Sequence, residues 1–166
     1  MRASLGEYAL GPDPMAILWP DLVKTVFRDS PREEHAEYLS PAARTIYRVG
    51  CFHGEVVNGG FSQFFSNSSG NWVPETVDAL GQVGARLSLR LLAEARTLFP
   101  GSIVPRDREE RCQVLFAFEK ENPDFLERLD RVYYRDVDAL GGTPVEDVNV
   151  LQVRFLRLHA EEPLLA

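Results

Sequence analysis

Lysine is nearly absent from this chain: Lys24 and Lys120 are the two present, and arginine supplies the rest of the fixed positive charge. Cysteine is as scarce, with Cys51 and Cys112 alone and no CxxC spacing, which excludes a disulfide framework and points to a reduced, cytoplasmic setting. No run of eighteen apolar residues occurs, so no transmembrane helix and no membrane association is expected. The opening MRASLGEYALGPDPM holds Glu7 and Asp13 and no continuous apolar stretch, so a secretory signal is not expected. Positive charge is in deficit overall. A net charge of −7 argues against direct nucleic-acid binding, which needs a basic footprint, and permits an acidic protein that meets basic partners.

What is present is an ordinary globular balance, 45% hydrophobic and 26% charged over 166 residues. That length predicts one domain, residues 1–166, with a core large enough to stand without metal or disulfide staples. The apolar spacing is helical almost throughout. Asp13-Pro14 reads as an N-cap and first helical residue, opening a helix to about Arg28 with Ile17, Leu18, Leu22 and Val26 as its stripe. Ser40-Pro41 opens a second, on which Ile46, Val49, His53 and Val56 share a face. Gly50 and Gly54 bare an adjoining strip that would suit close packing within the chain or across a homodimer. Asn58-Gly59-Gly60 supplies the residues that end a helix, and FSQFF after it suggests a short buried helical turn.

Further helices are predicted over 73–84, with Gly84 as a break, and over 85–99. In the last third, 107–119 places Cys112, Leu115 and Phe116 on one face. Residues 123–136 do the same with Phe125, Leu126, Leu129, Val132 and Tyr133, and 145–161 with Val148, Leu151, Phe155 and Leu158. No alternating strand pattern of useful length appears. The expected fold is all-α, with six to eight helices.

The charge is unevenly placed. Residues 1–39 carry net −3, residues 40–105 net +1, and residues 106–166 net −5. Asp124 with Arg128, and Glu127 with Arg131, stand four apart and are expected to pair on a helix surface. Asp136, Asp138, Glu146 and Asp147 lie in a stretch without any base, so they are the candidate partner-binding carboxylates. Glu119, Glu121 and Asp124 would extend that array.

Catalytic chemistry finds little footing. Cys51 and His53 are two apart on a helix and do not face each other, and His53 falls within an apolar stripe, as a satisfied core histidine does. His35 and His159 stand in polar stretches without an evident partner. There is no HExxH, paired CxxC, EF-hand loop, phosphate loop or dinucleotide fingerprint. No catalytic residue, metal ligand or cofactor is assigned. The unusual segment is EVVNGGFSQFFSNSSG, residues 55–70, which clusters Asn58, Ser62, Gln63, Asn67 and Ser68 among aromatics. Those polar groups either satisfy backbone atoms where one helix ends and the next turn begins, or orient a small molecule in a pocket.

This segment, with Ala79-Leu80 and Gly84-Ala85 after it, resembles the signature of a bacterial domain family named after a DNA-mimic protein. Glu55, Asn58, Gly59, Gly60, Phe61, Gln63, Phe65, Asn67, Ser68 and Gly70 match the pattern E-x-x-N-G-G-F-x-Q-[YF]-F-x-N-S-x-G. The resemblance covers about residues 40–100, with an acidic helical part over 106–166 outside it. It implies an all-α fold. It also implies a role like the namesake's, a dimer whose surface carboxylates imitate DNA phosphates and occupy a transcription factor. The leading expectation is therefore a non-enzymatic interaction protein that presents carboxylates to a basic DNA-binding protein. One alternative is a small-molecule-binding or hydrolytic domain with a site lined by Asn58, Gln63 and Asn67. Another is an immunity or accessory protein that neutralises a basic effector.

Overall fold

The computed structural model describes residues 4–29, 34–137 and 145–166. Among them the regular structure is helical, as the periodicity predicts: α1 (Leu5–Tyr8), α2 (Pro14–Val26), α3 (Pro41–Ser66), α4 (Val73–Val83), α5 (Arg86–Ala95), α6 (Arg108–Glu121), α7 (Asp124–Asp136) and α8 (Val148–Leu158). Short 3-10 turns at Ala36–Tyr38, Ser68–Trp72, Arg96–Leu98 and Pro100–Ser102 join them. Extended pairing is confined to two isolated bridges, Ser4 with Pro163 and Leu39 with Leu165. The protein is all-α. No helix among the described residues is long and apolar enough to cross a membrane.

Helix starts follow their caps. The Asp13 carboxylate accepts the Ala16 N–H at 3.0 Å, with Pro14 in the first turn where its missing N–H leaves nothing unsatisfied. Ser40 Oγ accepts from Ala43 N ahead of α3, and Asp107 Oδ1 accepts from Glu110 N ahead of α6. Gly84 closes α4 in the left-handed conformation, φ 80°, that glycine adopts without strain.

Contacts divide the chain into two compact units, residues 1–48 with 149–166, and residues 49–148. In the first, Leu5, Tyr8, Leu18, Leu22, Val26, Leu39, Ile46 and Leu156 form the core. Its C-terminal tail lies between two segments: Leu5 N donates to Glu162 O, Gly6 N to Ala160 O, Ser40 N to Leu164 O and Ala166 N to Tyr38 O. Buried Gln152 donates from Nε2 to Ile46 O. The second unit is built around aromatics. Phe52 packs edge-on to Phe64 and to Tyr133, Phe61 edge-on to Tyr133, and Phe65 edge-on to Phe99, at centroid separations of 5.0–6.0 Å.

Three details of the stripes differ from expectation. Phe116 is 54% exposed and Leu158 is 74% exposed, because Arg111 and Leu156 take the inward positions on their helices. A Cβ at Gly54 would meet nothing within 4 Å, so that glycine opens no close helix crossing here. Arg128 pairs with Glu94 on α5 at 2.6 Å rather than with Asp124, whereas Glu127 and Arg131 do approach, at 3.5 Å.

Candidate functional site

The segment from Glu55 to Gly70 is a helix broken and restarted. Helix α3 loses its dihedrals at Gly59 (φ −157°) and Gly60 (φ 74°, ψ −175°) and resumes at Phe61. Gly60 is required twice over: its φ is left-handed, and a Cβ there would come within 2.3 Å of the Asp130 carboxylate. That carboxylate belongs to α7 and accepts the Phe61 N–H at 2.8 Å, capping the restarted segment. Burial raises the Asp130 pKa above its ordinary value; the Phe61 N–H opposes this, and the nearby charges of Glu119 and Glu127 add to it.

Around the break, one carboxylate gathers the polar side chains of the segment. Glu55 Oε2 accepts from Gln63 Nε2 at 2.6 Å and Asn67 Nδ2 at 2.9 Å, and Oε1 accepts from Ser69 Oγ at 3.2 Å. Asn58 Nδ2 donates to Gln63 Oε1 at 3.1 Å. Gly59 leaves room for this, since a Cβ there would lie 2.2 Å from that amide oxygen. The bonds run from side chain to side chain, not to the frayed backbone as one sequence-based account has it. Asn58, Gln63 and Asn67 direct these amide groups to Glu55 and to each other. Phe61 and Phe65 are buried in the aromatic core.

Below this lies a feature the sequence reading missed. Arg111 of α6 is completely buried, and its guanidinium donates chiefly to backbone oxygens. Phe65 O, Asn67 O, Pro105 O and Arg106 O all accept from it, the last three at 2.8–2.9 Å, and Asn71 Oδ1 accepts at 2.8 Å. Burial pushes the Arg111 pKa down from its ordinary value. Gly70 is the partner glycine: a Cβ would sit 2.7 Å from Arg111 Nε and 2.8 Å from Phe65 O. The sequence carried only a faint signal, since Arg111 stands one helical turn before buried Leu115, beside and not on the expected face of Cys112, Leu115 and Phe116.

His53 is half-buried at the edge of the aromatic core, not within it as expected, with Nδ1 2.8 Å from the Tyr133 hydroxyl. His35 and His159 have partners after all, Glu37 at 2.9 Å and Glu162 at 2.7 Å. Cys51 and Cys112 are free thiols, both partly exposed. Among the described residues no group of His, Cys, Asp and Glu has metal-binding geometry.

Of the four sequence-predicted carboxylates, the three that are described all have partners. Asp136 is held by both arms of Arg135, at 2.7 Å each, and the Arg135 guanidinium pulls its pKa below the ordinary value. Glu146 points at the start of α5, where its two oxygens accept Leu87 N at 2.8 Å, Ser88 N at 2.9 Å and Ser88 Oγ at 2.7 Å. It is a helix cap, contributed from far along the chain. Asp147 is half-buried and has a partner of its own. Asp138 lies outside the described residues. By contrast, Glu109, Glu110 and Glu121 on α6 and Asp124 at the start of α7 are exposed, and Glu119 is half-buried beside them in sequence.

Residues 37–157 match the family model of DMP19-like proteins, a span that includes the helix break and all four carboxylates above. The chain belongs to the DMP19-like family. No curated protein and no solved structure matches it. In this DMP19-like chain, the glycine-rich break, the Glu55 cluster and the buried Arg111 account for the segment from Glu55 to Gly70 as architecture.

Proposed function

We propose that the protein is a non-enzymatic interaction protein of the DNA-mimic kind, which offers carboxylates to a basic DNA-binding protein. Membership of the DMP19-like family is the observation that carries this reading. The net charge of −7, with its excess in the last third, supports it. Asp136 and Glu146 are engaged internally, so the carboxylates assigned to the partner are Glu109, Glu110, Glu121 and Asp124, with Glu119 at the edge. At 1.5 Å rise per residue, Glu110 and Glu121 are about 16 Å apart along α6.

The test is a pull-down from host lysate with tagged full-length chain, washed at rising salt and then with duplex DNA. The expected result is a basic DNA-binding protein that leaves with salt and is displaced by the duplex, because contacts to a phosphate-like array weaken steeply with ionic strength. An E109Q/E110Q/E121Q/D124N variant should retain its circular dichroism and lose that partner. A partner held equally well by this variant, or indifferent to salt and DNA, would overturn the reading.

A further inference from the structure

The first compact unit contains a surface of the opposite character. A groove of about 690 Å³ runs along α8 and against the first turn of α2, lined chiefly by Pro14, Met15, Val150, Val153, Arg154 and Arg157. On α8 its lining residues are 149, 150, 153, 154, 157 and 158, one face of the helix across about 14 Å. The face is apolar and exposed: Val150 is 61% and Leu158 74% accessible, among the large apolar side chains that the fold leaves outside. Arg154 and Arg157, one turn apart on that face, are exposed and make no ion pair or hydrogen bond among the described residues. Asp13 also lines the groove, and its carboxylate is turned to the Ala16 N–H as the cap of α2.

Two unpaired guanidiniums beside an apolar floor are out of keeping with a chain of net −7, in which many of the other arginines have carboxylate or backbone partners. We infer that this groove is a second binding site, and that it takes an acidic amphipathic helix from a partner protein. An apolar stripe one and a half to three turns long would lie on Met15, Val150 and Val153, as helices do in grooves. Flanking Asp or Glu side chains would meet Arg154 and Arg157, which offer bidentate donors to carboxylates. The site is independent of the mimicry reading, since it lies in the other compact unit and selects the opposite charge. An open groove along a helix suits a peptide better than a single acyl chain, which would need an enclosed tunnel to bury its tail.

A phage library of random sixteen-residue peptides, panned against the full-length chain, tests this, with the enriched peptides then titrated by fluorescence anisotropy. Enriched sequences should carry Asp or Glu beside apolar residues at spacings of three and four. Their affinity should fall at least tenfold for R154E/R157E and for Val150→Asp. The R154E/R157E variant should also come to prefer versions of the same peptides with Lys in place of the acids. Both variants alter exposed side chains, and circular dichroism should match that of the parent. Three outcomes overturn the inference: peptides enriched without acids, affinities unmoved by R154E/R157E, or a groove occupied by a second copy. The last would appear as concentration-dependent dimerisation that R154E/R157E abolishes and the peptides do not compete away.

Discussion

Arg111 fixes more of the backbone than any apolar residue near it, since one guanidinium ties the end of α3, the 3-10 turn after it and the approach to α6. Substitution by methionine keeps the volume and strands several buried carbonyls. Each such orphan costs about 1–3 kcal/mol, so Arg111→Met should lower stability by about 3 kcal/mol or more in urea titration. Gly70→Ala acts on the same contact from the other side and should also destabilise, by about 1–3 kcal/mol, the usual range for overpacking. Asp130 gives a pH signature. Its folded pKa lies above the unfolded value near 3.8, so the folded state binds the proton more tightly than the unfolded chain does. Stability should therefore rise as pH falls from neutrality through the raised pKa towards 3.8, and this component should vanish in Asp130→Asn. Asn retains an oxygen for the Phe61 N–H, and at pH 7 the variant should be at least as stable as the parent. Chemical denaturation at a series of pH values would reveal both effects, and a parent flat across that window would contradict the assignment.

At the scale of elements, much was legible because the signals were local. Asp13-Pro14, Ser40-Pro41 and Gly84 mark the boundaries where the helices begin and end, and Asn58-Gly59-Gly60 announces the break in α3. What sequence could not reveal was non-local. Glu146 reads as one member of a base-free acidic stretch, yet it caps α5 across nearly sixty residues. Arg128 has a suitable partner four residues earlier and takes Glu94 instead. In both cases the reading from nearby residues was overridden by a neighbour that only the fold supplies. Arg111 and Asp130 went unread for the same reason, because their partners at Phe65, Asn67 and Phe61 lie more than forty residues away. The cap makes a prediction: Glu146→Ala should destabilise by about 0.5–2 kcal/mol and accelerate hydrogen exchange at Leu87 and Ser88. If those two amides exchange no faster, Glu146 is not the cap.

For the molecule as a whole, an acid excess in the last third survives as a property while its presumed bearers change. Glu146, which looked free in sequence, is the carboxylate the fold uses as a distant cap, while most of those on α6 remain exposed. Mutating Glu146 should therefore impair folding before it impairs partner binding. A thermal melt run beside the pull-down separates the two: a lowered Tm with the partner still bound below that Tm is the expected pattern.

The interleaving of the two units bears on how the protein is made. The unit spanning 49–148 is continuous in sequence and has all of its chain once residue 148 has left the ribosome. The other cannot close at that stage, because Leu5, Gly6 and Ser40 await carbonyls at Glu162, Ala160 and Leu164. At about 5–20 residues per second, translation separates residue 48 from residue 149 by on the order of 5–20 s. For that interval the first unit lacks α8 and the tail that bonds to Leu5, Gly6 and Ser40, and the nascent N-terminal segment is where a chaperone would find its hold.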